Sequence, residues 1–117
     1  MRILIAEDDE LILKTIEYKL QKEGYEVIIT RNGKDAIDTI NNTEVDLIIT
    51  DIMMPFASGT EILTAVTALG KKIPIIMLSS LGQEEVVLDA FALGASDFMV
   101  KPFSPNELIL RIKRLAH

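Results

Sequence analysis

The sequence predicts an α/β fold: a single doubly wound sheet of five parallel strands with helices packed on both faces. Five short runs rich in β-branched residues alternate with segments of helical period, which is the pattern of βαβ units. The third and fourth runs are almost continuously apolar, as is typical of central strands buried on both faces. Because 117 residues suffice for one hydrophobic core, we expect residues 1–117 to form one domain. The predicted strands are Ile3–Ala6, Tyr25–Thr30, Val45–Thr50, Ile73–Leu78 and Asp97–Val100.

Apolar residues at helical spacing predict that a crossover helix follows each strand. The fifth helix has the clearest start, because Ser104 and Glu107 form the sequence signature of a capping box with Pro105 at the first helical position. Arg111 and Arg114 lie toward its C-terminus, where the helix dipole favours cations. The inward positions expected in the first three helices are Ile12, Ile16 and Leu20, then Ile37 and Ile40, and then Ile62, Val66 and Leu69.

The fourth helix is unusual because Val86–Leu93 contains only one polar residue, Asp89, in eight. A helix that packs on one face of a sheet needs only one apolar stripe, and this segment is apolar around nearly its whole circumference. Two interpretations follow. Either the helix is well buried, or it carries an exposed apolar patch, for instance Val86 and Leu93, that contacts a partner.

Composition excludes several classes of function. The chain has no cysteine, so it has neither a disulfide framework nor a thiolate site. No apolar segment approaches the ~20 residues of a membrane span, and the N-terminus becomes acidic too early for a signal peptide. The formal charge of −6 argues against direct binding to nucleic acid. We therefore expect a cytoplasmic protein that binds neither membranes nor nucleic acid directly.

Polar residues follow or end four of the five predicted strands. Because parallel strands bring their carboxyl ends to one edge of the sheet, these side chains should lie close together. Three carboxylates, a hydroxyl and an ammonium predict a site for a divalent cation and a phosphoryl group, and oxygen ligands favour Mg²⁺. The residues are Asp8 and Asp9 after the first strand, Asp51 after the third, Ser79 after the fourth, and Lys101 after the fifth, directly before Pro102.

Each of these residues also has an ordinary structural role open to it. Asp8 and Asp9 suit the N-cap of the first helix, and Ser79 suits a capping or loop position. It is improbable that such residues stand at four separate strand ends by chance, so a joint site is favoured. Within it, Asp51 is the candidate nucleophile, because carboxylates form acyl phosphates, and Lys101 can neutralise a phosphate as a point charge.

Four sequence segments carry a resemblance to a known family. They are the acidic EDD after the first strand, D-I-M-M-P with Gly59 eight residues past Asp51, Ser79, and G-A-S-D-F-M-V-K-P-F from Gly94 to Phe103. In this order and spacing they resemble the receiver domain of two-component response regulators, over essentially the whole chain. The segment KPFSPNEL is similar to receivers that control winged-helix transcription factors. The resemblance implies a flavodoxin-like (βα)5 fold with strand order 2-1-3-4-5.

The resemblance also implies roles for the site residues. Asp51 would accept a phosphoryl group from a phosphohistidine on a sensor histidine kinase or phosphotransfer protein. Asp9 and Asp51 would ligate Mg²⁺, Asp8 would act mainly through a bound water, and the backbone carbonyl of Met53 would complete the protein ligands. Lys101 would pair with Asp51 or its phosphate.

Signalling is expected from a switch between two states. By resemblance, Ser79 is the switch hydroxyl, Phe98 is the aromatic that turns inward with it, and the Lys101–Pro102 bond is cis. The surface that responds is formed by helix four, strand five and helix five, through which related receivers form homodimers. Val87 and Ala92 offer no charge from helix four, so an apolar homodimer is the favoured hypothesis.

Met53 and Leu81 would flank the path of hydrolytic water, and both are apolar. We therefore expect slow loss of the phosphate, and a phosphoacceptor signalling domain that catalyses at most its own phosphorylation and slow dephosphorylation.

Three alternatives remain at this point. A haloacid-dehalogenase phosphatase would need a carboxylate where Met53 stands, and a flavin or nucleotide binder would need a glycine-rich loop in place of EDDE. A degenerate receiver would bind partners without phosphorylation, which the complete acidic set disfavours. The chain ends at the close of the predicted fifth helix, which is compatible both with a stand-alone receiver and with the receiver of a longer regulator.

Overall fold

One sheet of five parallel strands forms the centre of the computed structural model, which describes residues 1–54 and 56–116. The strand order is β2-β1-β3-β4-β5, which confirms the predicted fold class and order. Pro55, part of the D-I-M-M-P motif, and His117 lie outside the described residues. The elements are β1 (Arg2–Ala6), α1 (Glu10–Lys22), β2 (Glu26–Thr30), α2 (Gly33–Asn42), β3 (Leu47–Asp51), α3 (Gly59–Ala68), β4 (Ile75–Ser79), α4 (Glu84–Ala92), β5 (Asp97–Val100) and α5 (Pro105–Leu115).

The hydrophobic core has two layers, one on each face of the sheet. Successive strand residues point to opposite faces, so Ile3 and Ile5 pack with α1 and α5, whereas Leu4 and Ala6 pack with α2, α3 and α4. Every residue of β3 and β4 is buried, as predicted for central strands. The helices on both faces therefore hold the strand ends in a fixed register. Within the described residues, no helix has the length and apolarity needed to cross a membrane.

Two strands extend further than their apolar runs suggested. Asp51 is the last residue of β3 and pairs with Leu78, and Ser79 is the last residue of β4 and pairs with Val100. The polar residues are thus part of the parallel ladder, where backbone hydrogen bonds fix them. The ladder continues because its hydrogen bonds involve the backbone alone, and the outermost residue of a strand can point a polar side chain beyond the core.

The predicted helix faces were right in outline, but three of the named positions, Ile12, Ile37 and Leu69, are not fully buried. In α1 the fully buried position is Leu13 rather than Ile12, which is only half-buried. In α3 Leu63 is buried, whereas Leu69 is the C-cap residue and 44% exposed. A stripe at constant spacing of four drifts around a helix of 3.6 residues per turn, which explains the difference in α1. Leu69 is exposed because it lies beyond the last residue of α3.

The capping box was assigned to the wrong helix. Ser104 does accept a hydrogen bond from the Glu107 N–H at 3.4 Å, but the Glu107 carboxylate pairs with Arg111 at 2.7 Å instead of returning to the cap. A complete box occurs at α3, between Ser58 and Glu61. An arginine one turn further on competes for the Glu107 carboxylate, and α3 has no such arginine.

Helix α4 is not well buried, which rules out the first of its two interpretations. Ala90 is its only fully buried residue, and Leu88 is 57% exposed. Phe91 and Leu93 are also exposed, whereas Val86 is half-buried against the core. The exposed patch is therefore real, but it is displaced around the helix from the Val86 side to the Leu88 side.

Candidate functional site

Three carboxylates converge at the carboxyl edge of the sheet, between β1 and β3. One oxygen each from Glu7, Asp8 and Asp51 lies within 4.8 Å of the others. Strand register explains this arrangement, because Ala6 pairs with Thr50 and the next residue of each strand is therefore Glu7 or Asp51. Asp51 is 8% exposed and Glu7 is completely buried, whereas Asp8 is exposed to solvent. The site thus opens outward on the Asp8 side.

Lys101 supplies the positive charge of the site from the end of β5. Its ammonium Nζ lies 2.8 Å from Oδ2 of Asp51 and 2.7 Å from Oε1 of Glu7. Burial lowers the pKa of Lys101, but the hydrogen bond to Asp51 and the negative charges of Asp51 and Glu7 outweigh burial and raise the pKa above its ordinary value. The backbone N–H of Lys101 donates to the Ser79 carbonyl at 2.8 Å, which holds the β5 end against β4. Lys101 is therefore a fixed, permanently charged group.

Glu7 has a buried carboxylate oxygen that lacks a hydrogen bond. Its Oε2 accepts a hydrogen bond from the Asp9 N–H at 3.3 Å, whereas Oε1 is near Lys101 but lacks the angles of a hydrogen bond and has no hydrogen-bond partner among the described residues. Burial and the charge of Asp51 raise the pKa of Glu7 to about 7, although Lys101 acts in the opposite direction. A buried carboxylate oxygen with no donor is suited to a cation that approaches from the open side.

The expected metal ligand Asp9 lies outside this group of three carboxylates. Its Oδ1 accepts hydrogen bonds from the N–H groups of Leu11 and Ile12, at 3.0 and 3.2 Å, so Asp9 is the N-cap of α1. Glu7 takes its place beside Asp8. Glu7 belongs to the EDD segment but was not among the predicted ligands. The signal that was available is that β1 ends at Ala6, so the next two residues lie at the edge and the third begins the helix.

The donor set of this site fits Mg²⁺. Glu7, Asp8 and Asp51 offer hard carboxylate oxygens, and at least one of these oxygens is buried without a hydrogen-bond donor. Mg²⁺ characteristically keeps several waters and takes only one or two carboxylates with a phosphate, and the exposed Asp8 side leaves room for such ligands. A cation would also remove the repulsion between the three carboxylates.

Of the expected switch residues, Ser79 ends β4 at the same edge, and Phe98 lies two residues before the end of β5. Ser79 is buried, and its Oγ accepts a hydrogen bond from the Leu81 N–H at 2.9 Å. Phe98 is 8% exposed and packs in the core layer of α2, α3 and α4, so its ring points inward. The Lys101–Pro102 peptide bond is cis.

The rim of the site on its β3 and β4 sides is apolar. Met53 is 69% exposed and Leu81 is 45% exposed. Phe56 is also exposed and has a φ of 69°, in the left-handed region that non-glycine residues rarely adopt. These side chains offer no group that hydrogen-bonds water.

Comparison with known proteins identifies the family. The family model "Response regulator receiver domain" matches residues 3–113. The response regulator SaeR of Staphylococcus aureus is 39% identical over 113 residues, which cover 97% of this chain and 49% of SaeR, so the chain spans about half the length of that relative. The receiver domain of Francisella response regulator 1452 is 33% identical with a TM-score of 0.94, covering 98% of this chain and 95% of that one. The chemotaxis response regulator CheY4 of Vibrio cholerae is 32% identical with a TM-score of 0.89 and 97% of each chain covered. The match to the family model and the close agreement of both fold and sequence show that this chain belongs to the response regulator receiver domain family, a signalling domain of two-component systems.

Proposed function

We propose that this domain accepts a phosphoryl group on Asp51 from a phosphohistidine of a sensor histidine kinase or phosphotransfer protein. The observation that carries the proposal is the placement of Asp51 between the Lys101 ammonium, 2.8 Å from Oδ2, and the carboxylates of Glu7 and Asp8. Oδ2 is occupied by Lys101, whereas Oδ1 accepts no hydrogen bond from a described side chain or backbone group and is the candidate attacking atom.

In the proposed transfer, Oδ1 of Asp51 forms a bond to phosphorus while the bond from phosphorus to the histidine nitrogen breaks, and the imidazole leaves with the bonding electron pair. Lys101 balances the charge on the acceptor and on the transferred oxygens. Mg²⁺, when bound, supplies further positive charge and orients the phosphoryl oxygens. The protein thus contributes mainly the positions of the reacting groups and the charges around them, as is typical of phosphoryl transfer.

We assign the metal ligands as Glu7, Asp8 and Asp51, with the Met53 carbonyl as the expected backbone ligand. Asp9 is no longer among them, because both of its hydrogen bonds belong to the cap of α1. This assignment keeps Mg²⁺ as the proposed cofactor and changes which residues hold it.

The proposed output is a change in the face formed by α4, β5 and α5. The buried Ser79 hydroxyl can donate to a phosphoryl oxygen on Asp51 while Oγ retains the Leu81 N–H. Movement of the β4–α4 loop would then alter the packing of Phe98 in the core. Control of an output domain or partner by this face is part of the proposal.

The same face is the proposed site of a homodimer, held by apolar contacts. Asp97 is 5% exposed and pairs with Arg111 at 2.6 Å and with Arg114 at 2.7 Å, while Glu107 pairs with Arg111. These charges already satisfy one another within the chain, so they have little to gain from a second copy. Exposed Leu88 is the better candidate for the contact.

A cytoplasmic location and the absence of direct nucleic acid binding remain predictions.

Incubation with acetyl phosphate and Mg²⁺, followed by intact-mass measurement, tests the proposed function. The parent should gain one phosphoryl group, and Asp51→Asn should gain none. Asp38→Asn is the matched control, because Asp38 is an exposed acid outside the site and should leave phosphorylation unchanged. No gain in the parent would favour a receiver that works without phosphorylation.

A further inference from the structure

The loop between β3 and α3, residues 52–58, is fixed at both ends by backbone hydrogen bonds. The Ile52 N–H donates to the Leu78 carbonyl at 3.0 Å, and the Gly59 N–H donates to the Ile52 carbonyl at 2.9 Å. Between them, no described residue from 53 to 57 forms a backbone hydrogen bond with another described residue. The position of the loop therefore depends on packing. This matters because the loop begins directly after Asp51 and carries the Met53 carbonyl.

The packing contact that meets this loop comes from the first residue of α2. Gly33 and Ala57 are both buried, and a Cβ atom added to Gly33 would lie 1.8 Å from the Ala57 carbonyl oxygen and 2.4 Å from the Ala57 carbonyl carbon. Both are backbone atoms, so no rotamer change relieves the overlap. Any side chain at residue 33 requires α2 and the loop to move apart.

Helix α2 is the firmer of the two partners. Its N-cap Asn32 accepts a hydrogen bond from the Asp35 N–H at 2.8 Å, and its side chains Ala36 and Ile40 are completely buried in the core. Between its ends, the described part of the loop has a weaker anchor, Met54, which is only half-buried against the core. A side chain at residue 33 should therefore displace the loop rather than the helix.

The far end of the loop is clamped in the same way. A Cβ atom added to Gly59 would lie 2.4 Å from the Asp51 carbonyl oxygen and 3.0 Å from the Ile52 Cα. The start of α3 is thus in close contact with the backbone of the phosphoacceptor itself. Because this end is fixed, a displacement of Ala57 would have to be accommodated on the side of the loop that leads back to Met53.

We propose that Gly33 is a positioning residue for the Asp51 site: its contact with Ala57 sets the path of the β3–α3 loop and hence the placement of the Met53 carbonyl relative to the carboxylates. The inference rests on the proposed function, because it assigns Gly33 a role in forming the metal and phosphoryl site. Gly33 touches neither the metal nor the phosphate in this scheme and is not a catalytic residue.

Magnesium binding to the metal-free protein, measured by calorimetry without any phosphodonor, tests the proposal. Gly33→Ala should raise the dissociation constant of Mg²⁺ about tenfold, the lower end of the effect of groups that orient metal ligands. Ala57→Val enlarges the other side of the same contact and should act in the same direction. Ala36→Gly is the control: it weakens α2 one turn further on without approaching the loop, so it should lower Tm but change Mg²⁺ binding less than about twofold.

Phosphorylation of the parent separates the two proposals. A parent that neither binds Mg²⁺ nor gains a phosphoryl group overturns the proposed function, and this inference with it. A second outcome is that the parent binds Mg²⁺ and gains a phosphoryl group, while Gly33→Ala and Ala57→Val are folded and bind Mg²⁺ as the parent does. That result overturns the role of Gly33 but leaves the proposed function intact. Effects of equal size in Ala36→Gly, or loss of cooperative unfolding in both contact variants, would show that the contact serves the fold rather than the site.

Discussion

At the residue scale, Glu7 is a buried acid whose charged form is disfavoured in the metal-free protein. It is completely buried next to Asp51, and its pKa is raised from 4.5 to about 7. The folded protein therefore binds more protons than the unfolded chain between these two values. The free energy of unfolding should fall as pH rises through that interval, because stability decreases with pH wherever the native state holds the extra proton.

Glu7→Gln should remove this pH dependence. Glutamine resembles the protonated acid, so the variant should match the parent near pH 4.5 and be more stable above pH 7, by at most roughly 2–3 kcal/mol from a shift of this size. Urea unfolding in the presence of a chelator, at about pH 5 and pH 8, measures the difference. Glu44→Gln, at an exposed glutamate, should leave the pH dependence as it is in the parent. A stability gain of Glu7→Gln that is equal at both pH values would contradict the assignment.

Met53 is expected to set the lifetime of the phosphoryl group. Its side chain is 69% exposed at the rim of the site and cannot orient water for attack on an acyl phosphate. Met53→Asn places an amide there and should shorten the lifetime several-fold, whereas Met53→Leu should leave it unchanged. The decay is followed by intact mass after removal of the phosphodonor. Fast decay in the parent that no substitution at Met53 or Leu81 alters would refute this explanation.

At the element scale, α4 combines the largely apolar sequence of a buried helix after its acidic first turn with the exposure of a surface helix. Leu88 and Phe91 lie three residues apart and are 57% and 44% exposed. Contiguous apolar surface of this kind characteristically marks a site of interaction. Since the charges of β5 and α5 are paired within the chain, association through this face should be driven by apolar burial and be insensitive to salt.

Leu88→Glu should therefore abolish association of the activated domain. Sedimentation velocity with beryllofluoride and Mg²⁺, which together mimic the phosphoryl group, should show a dimer for the parent and a monomer for the variant. Leu11→Glu adds the same charge at a more exposed leucine, in α1, and should not interfere. A parent that stays monomeric both with and without beryllofluoride would count against a dimer through this face.

The sequence predicted the existence of each helix and strand well, but it predicted less well which side chains of each helix face the core. Alternating apolar runs predicted all five strands and the crossover helices, because these signals are local. The orientation of α4 depends on which side chains meet the sheet, and an almost uniformly apolar segment carries no such information. The capping box failed at α5 for a related reason: Glu107 had a second partner, Arg111, whose choice depends on tertiary geometry.

At the scale of the whole molecule, the site is assembled by strand register. The rule that parallel strands end at one edge predicted that Asp51, Ser79 and Lys101 would come together. Which acid lies beside Asp51 depends on the pairing of Ala6 with Thr50, and run lengths in the sequence do not define that pairing. This is why the sequence predicted the edge of the sheet at which these residues meet but did not single out Glu7, the acid that lies beside Asp51.

The central claim is that Asp51 accepts a phosphoryl group at a metal site that includes Asp8 and not Asp9. Asp8→Asn and Asp9→Asn form a matched pair, because the substitutions are isosteric and adjacent, and asparagine caps a helix as well as aspartate does. The most direct measurement is the Mg²⁺ concentration that gives half-maximal phosphorylation by acetyl phosphate, followed by intact mass. We expect Asp8→Asn to raise this Mg²⁺ concentration about tenfold or more, and Asp9→Asn to change it less than about twofold. Asp51→Asn should gain no phosphoryl group. Phosphorylation of Asp51→Asn to the same extent as the parent, or a larger effect of Asp9→Asn than of Asp8→Asn, would contradict this account.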